Sequence, residues 1–125
     1  MRNIDYIVLT STETKANTEC GVKALDKKMR DVSYPCCPYH YVVRQNGIIE
    51  TGRPEYIASL TFGDYDQNSI SLAYEGGLDS KGNEADTRTK EQIRVMNLLL
   101  TNLKKRFPQA VVVKSSELAA LKKAC

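Results

Sequence analysis

Side chains able to hold a metal or act as nucleophiles are few in this chain. It has four cysteines and one histidine, and their densest grouping is Cys36-Cys37-Pro38-Tyr39-His40. A Cys-x-x-His pair offers two zinc ligands. A structural site needs about four, and a catalytic site about three besides its water. No second pair stands at a matching distance, so the spacing argues against metal there. Cys20, Cys36, Cys37 and Cys125 also lack the spacing of a disulfide framework and read as reduced thiols. His40 has no carboxylate nearby in sequence to orient it, and reads as a structural imidazole.

The elements that would position such groups are legible from periodicity. Ile4 to Leu9 is β-branched and aromatic, apolar on both faces towards its end, and predicts a central strand. Thr10 to Thr14 reads as a polar loop at its C-terminal end, where open α/β sheets place their sites. A helix is expected from a cap at Asn17 or Thr18 to about Val32, with Val22, Leu25, Met29 and Val32 on one stripe. Tyr39 to Arg44 and Ile48 to Thr51 predict a hairpin about Gln45-Asn46-Gly47, with Tyr39 and Tyr41 on one face and His40 on the other. Tyr56 to Gln67 has no clear period and reads as a loop or short helical turn.

The chain is organised around Asn68 to Thr87. Ser69 to Tyr74 predicts a strand, which Glu75-Gly76-Gly77 breaks. A polar loop, Asp79 to Asp86, leads to Thr89-x-x-Gln92, a capping box for a helix to about Phe107. Its expected buried stripe is Ile93, Met96, Leu99, Leu100 and Leu103. Ala110 to Val113 predicts a further strand, and Ser115 or Ser116 a cap for a last helix. These elements make an α/β domain, and without repeats or linkers it reads as a single domain over residues 1–125.

Lys and Arg number 18 against 15 Asp and Glu, a net charge of +3. That is too mild to argue for nucleic acid, which is not expected as a partner. No apolar run approaches the roughly 20 residues of a membrane span. Met1-Arg2-Asn3-Ile4-Asp5 has a charge but no long apolar stretch, so a signal peptide is not expected. The reading is a cytoplasmic protein without membrane association.

The order strand, helix, hairpin, strand with Glu-Gly-Gly, long helix, strand, helix is similar to the zinc-dependent N-acetylmuramoyl-L-alanine amidases. That family includes phage lysozyme-amidases and peptidoglycan recognition proteins. The resemblance rests on Pro38-Tyr39-His40-Tyr41 with Gln45-Asn46-Gly47 and Gly52-Arg53, on Asn68-Ser69-Ile70, and on Tyr74 to Thr89. It covers nearly the whole chain and looks like amidases of phages or mobile elements of gut bacteria. It implies an α/β fold in which a mixed central β-sheet is flanked by helices. It also implies a zinc ion held by two histidines and a cysteine or aspartate. The first histidine position holds Leu9, followed by Thr10 and Ser11; the second holds Ser115, in Ser115-Ser116-Glu117. A further groove histidine falls on Leu60, the third ligand on Cys125, and the family's catalytic tyrosine on Tyr39.

Zinc catalysis needs about three protein ligands to bring the bound water's pKa near 7, and Cys125 alone does not provide them. The resemblance thus implies a catalytically silent pseudoenzyme with no metal and no cofactor. It would bind or sequester a small molecule in the former substrate groove, through Tyr39, Leu9, Thr10, Ser11, Leu60, Ser115 and Ser116. A peptidoglycan fragment or a nucleotide-like signal is the expected ligand, in the host cell cytoplasm if the protein is phage-encoded. The hydroxyls are open to a second reading as loop and cap residues, and Tyr39 to one as a packing residue. On the groove reading, Tyr39→Ala would abolish binding without unfolding the protein. Two alternatives remain: a zinc amidase with a metal site rearranged among Cys36, Cys37, Cys125 and His40, and a protein interaction module using Lys104-Lys105-Arg106 and Lys122-Lys123. Homo-oligomerisation is left open.

Overall fold

The structure, a computed structural model, describes residues 3–15, 18–31, 37–59 and 62–118. Strands β1 (Tyr6–Ser11), β3 (Tyr41–Val43), β4 (Ile49–Thr51), β5 (Ser69–Tyr74) and β7 (Val111–Lys114) form one sheet in the order β4-β3-β5-β1-β7. β5 lies parallel to β1 and β3, and β1 parallel to β7; only the β3–β4 pair is antiparallel. β5 is at the centre and five of its six residues are buried. Short strands β2 (Thr14–Lys15) and β6 (Gly77–Leu78) pair in a separate ribbon just beyond the C-terminal ends of β1 and β5. The sheet is therefore mixed and helix-flanked, as the elements and the resemblance imply.

Alternation divides the core. On one face Ile7, Ile70, Leu72 and Val43 meet helix α2 (Lys90–Arg106) through Val95, Met96 and Leu103. On the other, Val42 and Ala73 pack with Leu25 of helix α1 (Val22–Asp31), Cys20, Cys37 and Tyr39. Val8 and Val113 pack with Leu118 beside Tyr6, Phe62 and Tyr65. Tyr65 belongs to the 3₁₀ turn Gly63–Asn68, inside the segment read as a loop or short turn.

Several expectations shift. β1 extends through Ser11, and Thr14 and Lys15 are paired, so the expected polar loop shrinks to Thr12 and Glu13. α1 begins at Val22, after Thr18, because its entry is held from elsewhere: the Val22 N–H donates to Glu50 Oε1 at 2.9 Å. Asn17 and Val32 lie outside the described residues. Residues 38–40 bend before β3 starts, which breaks the two-residue period. Tyr39 and Tyr41 therefore face opposite layers, Tyr39 towards α1 and Tyr41 towards α2.

The capping box forms as written in the sequence. The Gln92 N–H donates to Thr89 Oγ1 at 3.1 Å, and the Thr89 N–H to Gln92 Oε1 at 2.9 Å. The buried stripe, however, runs through Gln92, Val95, Met96 and Leu103, while Ile93 is 39% exposed. Gln92 is drawn inward because its Nε2 donates to the carbonyls of Val43 (3.1 Å) and Glu75 (3.0 Å) where β3 and β5 end. A buried amide is tolerated when its partners are this complete.

Candidate functional site

At the C-terminal ends of β5, β1 and β7 the sheet opens into a cavity of about 450 Å³, within the usual range for small-ligand sites. Leu9, Tyr74 and Met96 supply its apolar surface and also pack in the α2-side core. Thr10, Ser11, Ser115 and Ser116 bring hydroxyls, while Glu13, Glu84, Asp86, Arg88 and Lys114 bring charge. Parallel pairing sets Leu9 beside Lys114, so the last residue of β7 stands next to the apolar surface. The ribbon keeps the other wall close. Gly77 has φ +102°, and a Cβ there would fall 2.1 Å from Ser11 Oγ, so glycine lets β6 approach the end of β1.

Five of the residues named from sequence thus meet in one cavity: Leu9, Thr10, Ser11, Ser115 and Ser116. Leu60 lies outside the described residues. Tyr39 does not line the cavity. It is 9% exposed within the α1-side core, and its phenol donates to the Ser11 carbonyl at 3.4 Å, so it supports the cavity from behind. Burial, with the Glu13 carboxylate adding to it, pushes the Tyr39 phenol up to about 12. It is a neutral donor over the ordinary pH range. Removing this ring would open the core rather than strip one contact from a ligand, which corrects the sequence-based expectation for Tyr39→Ala.

His40 is fully buried and both of its ring nitrogens are engaged. The Ser71 N–H donates to Nδ1 at 2.9 Å, which makes Nδ1 the acceptor and leaves the proton on Nε2 for the Ile57 carbonyl at 2.7 Å. This imidazole is a neutral clamp between β5 and the segment after β4. A rearranged zinc site would have to break it. Cys20 and Cys37 are buried free thiols in the α1-side core, while Cys36 and Cys125 lie outside the described residues.

The donor set of the cavity does not fit the zinc that the resemblance implies. At the two histidine positions stand an alkyl side chain, Leu9, and a hydroxyl, Ser115, and Lys114, paired in register with Leu9 and next to Ser115 in sequence, also lines the cavity. Among the described residues no group of three or more histidine, cysteine, aspartate or glutamate side chains could hold a metal ion.

The charged lining falls into two parts. Arg88 grips Asp86 through Nε and Nη2 at 2.9 and 2.8 Å. The Arg88 guanidinium, helped by the charge of Lys114, holds the Asp86 carboxyl down at about 2. Tyr74 is raised from its ordinary value by burial and by the Asp86 carboxylate. Glu13 and Glu84 carry no such partner among the described residues: Glu13 precedes β2, and Glu84 bridges to Leu78 of β6. Sequence reasoning missed Tyr74, Glu13, Glu84, Asp86, Arg88 and Lys114. Only the return of the Asp79–Asp86 loop over the ends of the strands brings the middle of these together, and no local spacing announces that return.

Comparisons with known proteins agree with this geometry. The chain is 30% identical over 112 residues to the endolysin of Enterobacteria phage K11, covering 90% of this chain and 73% of that one. The Ph2119 endolysin from a Thermus scotoductus bacteriophage superposes with a TM-score of 0.77 at 24% identity, over 93% of this chain and 73% of that one. The ectodomain complex of peptidoglycan recognition proteins LCa and LCx, solved with bound tracheal cytotoxin, gives a TM-score of 0.71 at 16% identity, over 94% and 73%. At these identities the structural matches speak for the fold. The match to the family description runs along residues 1–125, and the chain belongs to the N-acetylmuramoyl-L-alanine amidase family.

Proposed function

We propose that this chain is a non-catalytic amidase-family protein that binds a peptidoglycan fragment in the cavity at the C-terminal ends of β5, β1 and β7. The observation carrying this reading is that Leu9 and Ser115 stand at the two histidine positions of the expected donor set, with Lys114 paired in register beside Leu9. Without a metal-activated water the amide has no nucleophile, whereas an apolar surface ringed by hydroxyls and charges still suits a ligand. That a related ectodomain complex was solved with tracheal cytotoxin supports a ligand of the same kind here. A nucleotide-like ligand is disfavoured by the lining, in which three carboxylates face two cations. Several phosphates in that setting would meet net repulsion.

The interaction-module alternative loses part of its basis. Lys104 Nζ donates to the carbonyls of Pro108 and Ala110, and Arg106 pairs with Glu55 at 2.7 Å. Two of the three cations at the end of α2 are therefore occupied within the fold, and Lys122 and Lys123 lie outside the described residues.

The test is hydrolysis and binding side by side. Purified peptidoglycan incubated with the protein and added zinc should lose no turbidity, while N-acetylmuramoyl-dipeptide should shift the amide resonances of Thr10, Ser11, Ser115 and Ser116. Hydrolysis that a chelator abolishes would overturn the non-catalytic reading.

A further inference from the structure

The cavity's charges divide into a paired and an unpaired group. Asp86 is held by Arg88, and Lys114 stands near enough to depress the same carboxyl, so Asp86, Arg88 and Lys114 together carry one net positive charge. Glu13 and Glu84, beside the β2–β6 ribbon, carry two negative charges. Among the described residues, the side chains of Lys114, Glu13 and Glu84 make no ion pair and no hydrogen bond. Opposite charges that line one small cavity and are not paired with each other are arranged for a ligand that is itself dipolar. The apolar surface of Leu9, Tyr74 and Met96 lies in the same cavity and suits an aliphatic body.

The geometry points to a zwitterionic peptide as the ligand, with its carboxylate at Lys114 and its free amino group at Glu13 and Glu84. This rests on the groove reading above and sharpens it. An uncut muramoyl peptide has an amide where this ligand has an amine, so at that end it presents no cation to the glutamates. Hydrolysis of that amide releases the amine, and the carboxylate left on the sugar departs with the glycan. The reaction class that must supply the ligand is therefore amide hydrolysis by another enzyme. The site takes a product of the chemistry that its own donor set does not support.

The test uses three probes on the intact chain, followed by calorimetry and by amide shifts at Leu9, Tyr74 and Ser115. They are L-alanyl-D-isoglutamine, its N-acetylated form, and N-acetylmuramoyl-L-alanyl-D-isoglutamine. A lost charge-assisted contact should weaken binding about tenfold or more. The free dipeptide is thus expected to bind about tenfold more tightly than either capped probe. Lys114→Met should weaken all three, and the Glu13→Gln, Glu84→Gln double variant should erase the preference for the free amine. Equal affinity for free and capped probes, or tighter binding of the muramoyl form, would overturn the zwitterion inference and leave the groove reading intact. If no probe shifts the cavity resonances, the groove reading fails and takes this inference with it. Thermal unfolding of each variant separates loss of binding from loss of fold.

Discussion

Two sets of polar side chains in this molecule behave in opposite ways. Behind the sheet ends, Glu75, Gln92 and His40 are buried and saturated with hydrogen bonds. Glu75, 3% exposed, accepts from the N–H groups of Cys20 and Gln45 and from Arg44 Nε, tying the entry of α1 and the β3–β4 turn to the end of β5. Around the cavity, Glu13, Glu84 and Lys114 make no such bonds among the described residues. Full pairing holds a fold in one arrangement, whereas charge left open on a cavity wall costs little in water and remains available to a ligand. The buried network thus keeps the groove in shape whatever side chains line it.

The strongest tests of this contrast are in the packed region. Tyr39→Ala removes a buried ring from the α1-side core and should cost about 3–5 kcal/mol in urea unfolding. Tyr39→Phe deletes only the 3.4 Å contact to Ser11 and should stay within about 1 kcal/mol with unchanged ligand affinity. A Phe variant that folds normally and no longer binds would return Tyr39 to the groove. Next comes Glu75→Ala, which leaves two N–H groups and part of the Arg44 charge unpaired and should cost about 3 kcal/mol. Wild-type stability in that variant would remove Glu75 from the centre of the network.

Titration separates the same groups by sign. Burial alone would raise the Glu75 carboxyl, but the hydrogen bonds from Cys20, Gln45 and Arg44 outweigh it and hold it below its ordinary value. Its contribution is therefore present above the unfolded carboxylate value of about 4.3 and lost as pH falls through the lower folded value. Glu75→Gln should flatten that acid limb. Tyr39 works in the other direction. Its phenol is raised to about 12, so its share of stability is complete below the unfolded value of about 10 and declines as pH rises towards the folded one. Tyr39→Phe should remove this alkaline decline.

How far the sequence could be read follows from the same contrast. β5, the hairpin and the Thr89–Gln92 box were legible because their signals are local: alternation, an Asn-Gly turn, and a three-residue spacing. The start of α1 was not, because its N–H groups are met by Glu50 and Glu75, which lie 28 and 55 residues away from their partners. The stripe of α2 was misplaced by Ile93 because hydrophobicity ranks isoleucine above glutamine, and only the two carbonyls at the strand ends reverse that order. Five cavity residues followed from the family resemblance, which marks the family's histidine positions at Leu9 and Ser115 and the residues next to them. The charged lining did not, since Glu13, Glu84 and Lys114 meet only after β1, β6 and β7 are aligned.

The smallest expected effect is the most discriminating. If Glu13, Glu84 and Lys114 are open to a ligand and not part of the network, removing their charges should hardly change stability. Glu13→Gln, Glu84→Gln and Lys114→Met should each lie within about 0.5 kcal/mol of wild type in urea unfolding, as exposed positions outside any network do. The two glutamine variants should if anything stabilise, because each removes one of three like charges that line the same cavity. A loss comparable to that of Glu75→Ala would mean that these charges hold the cavity wall itself. The contrast between a saturated interior and an open site would then give way to a single network reaching the surface.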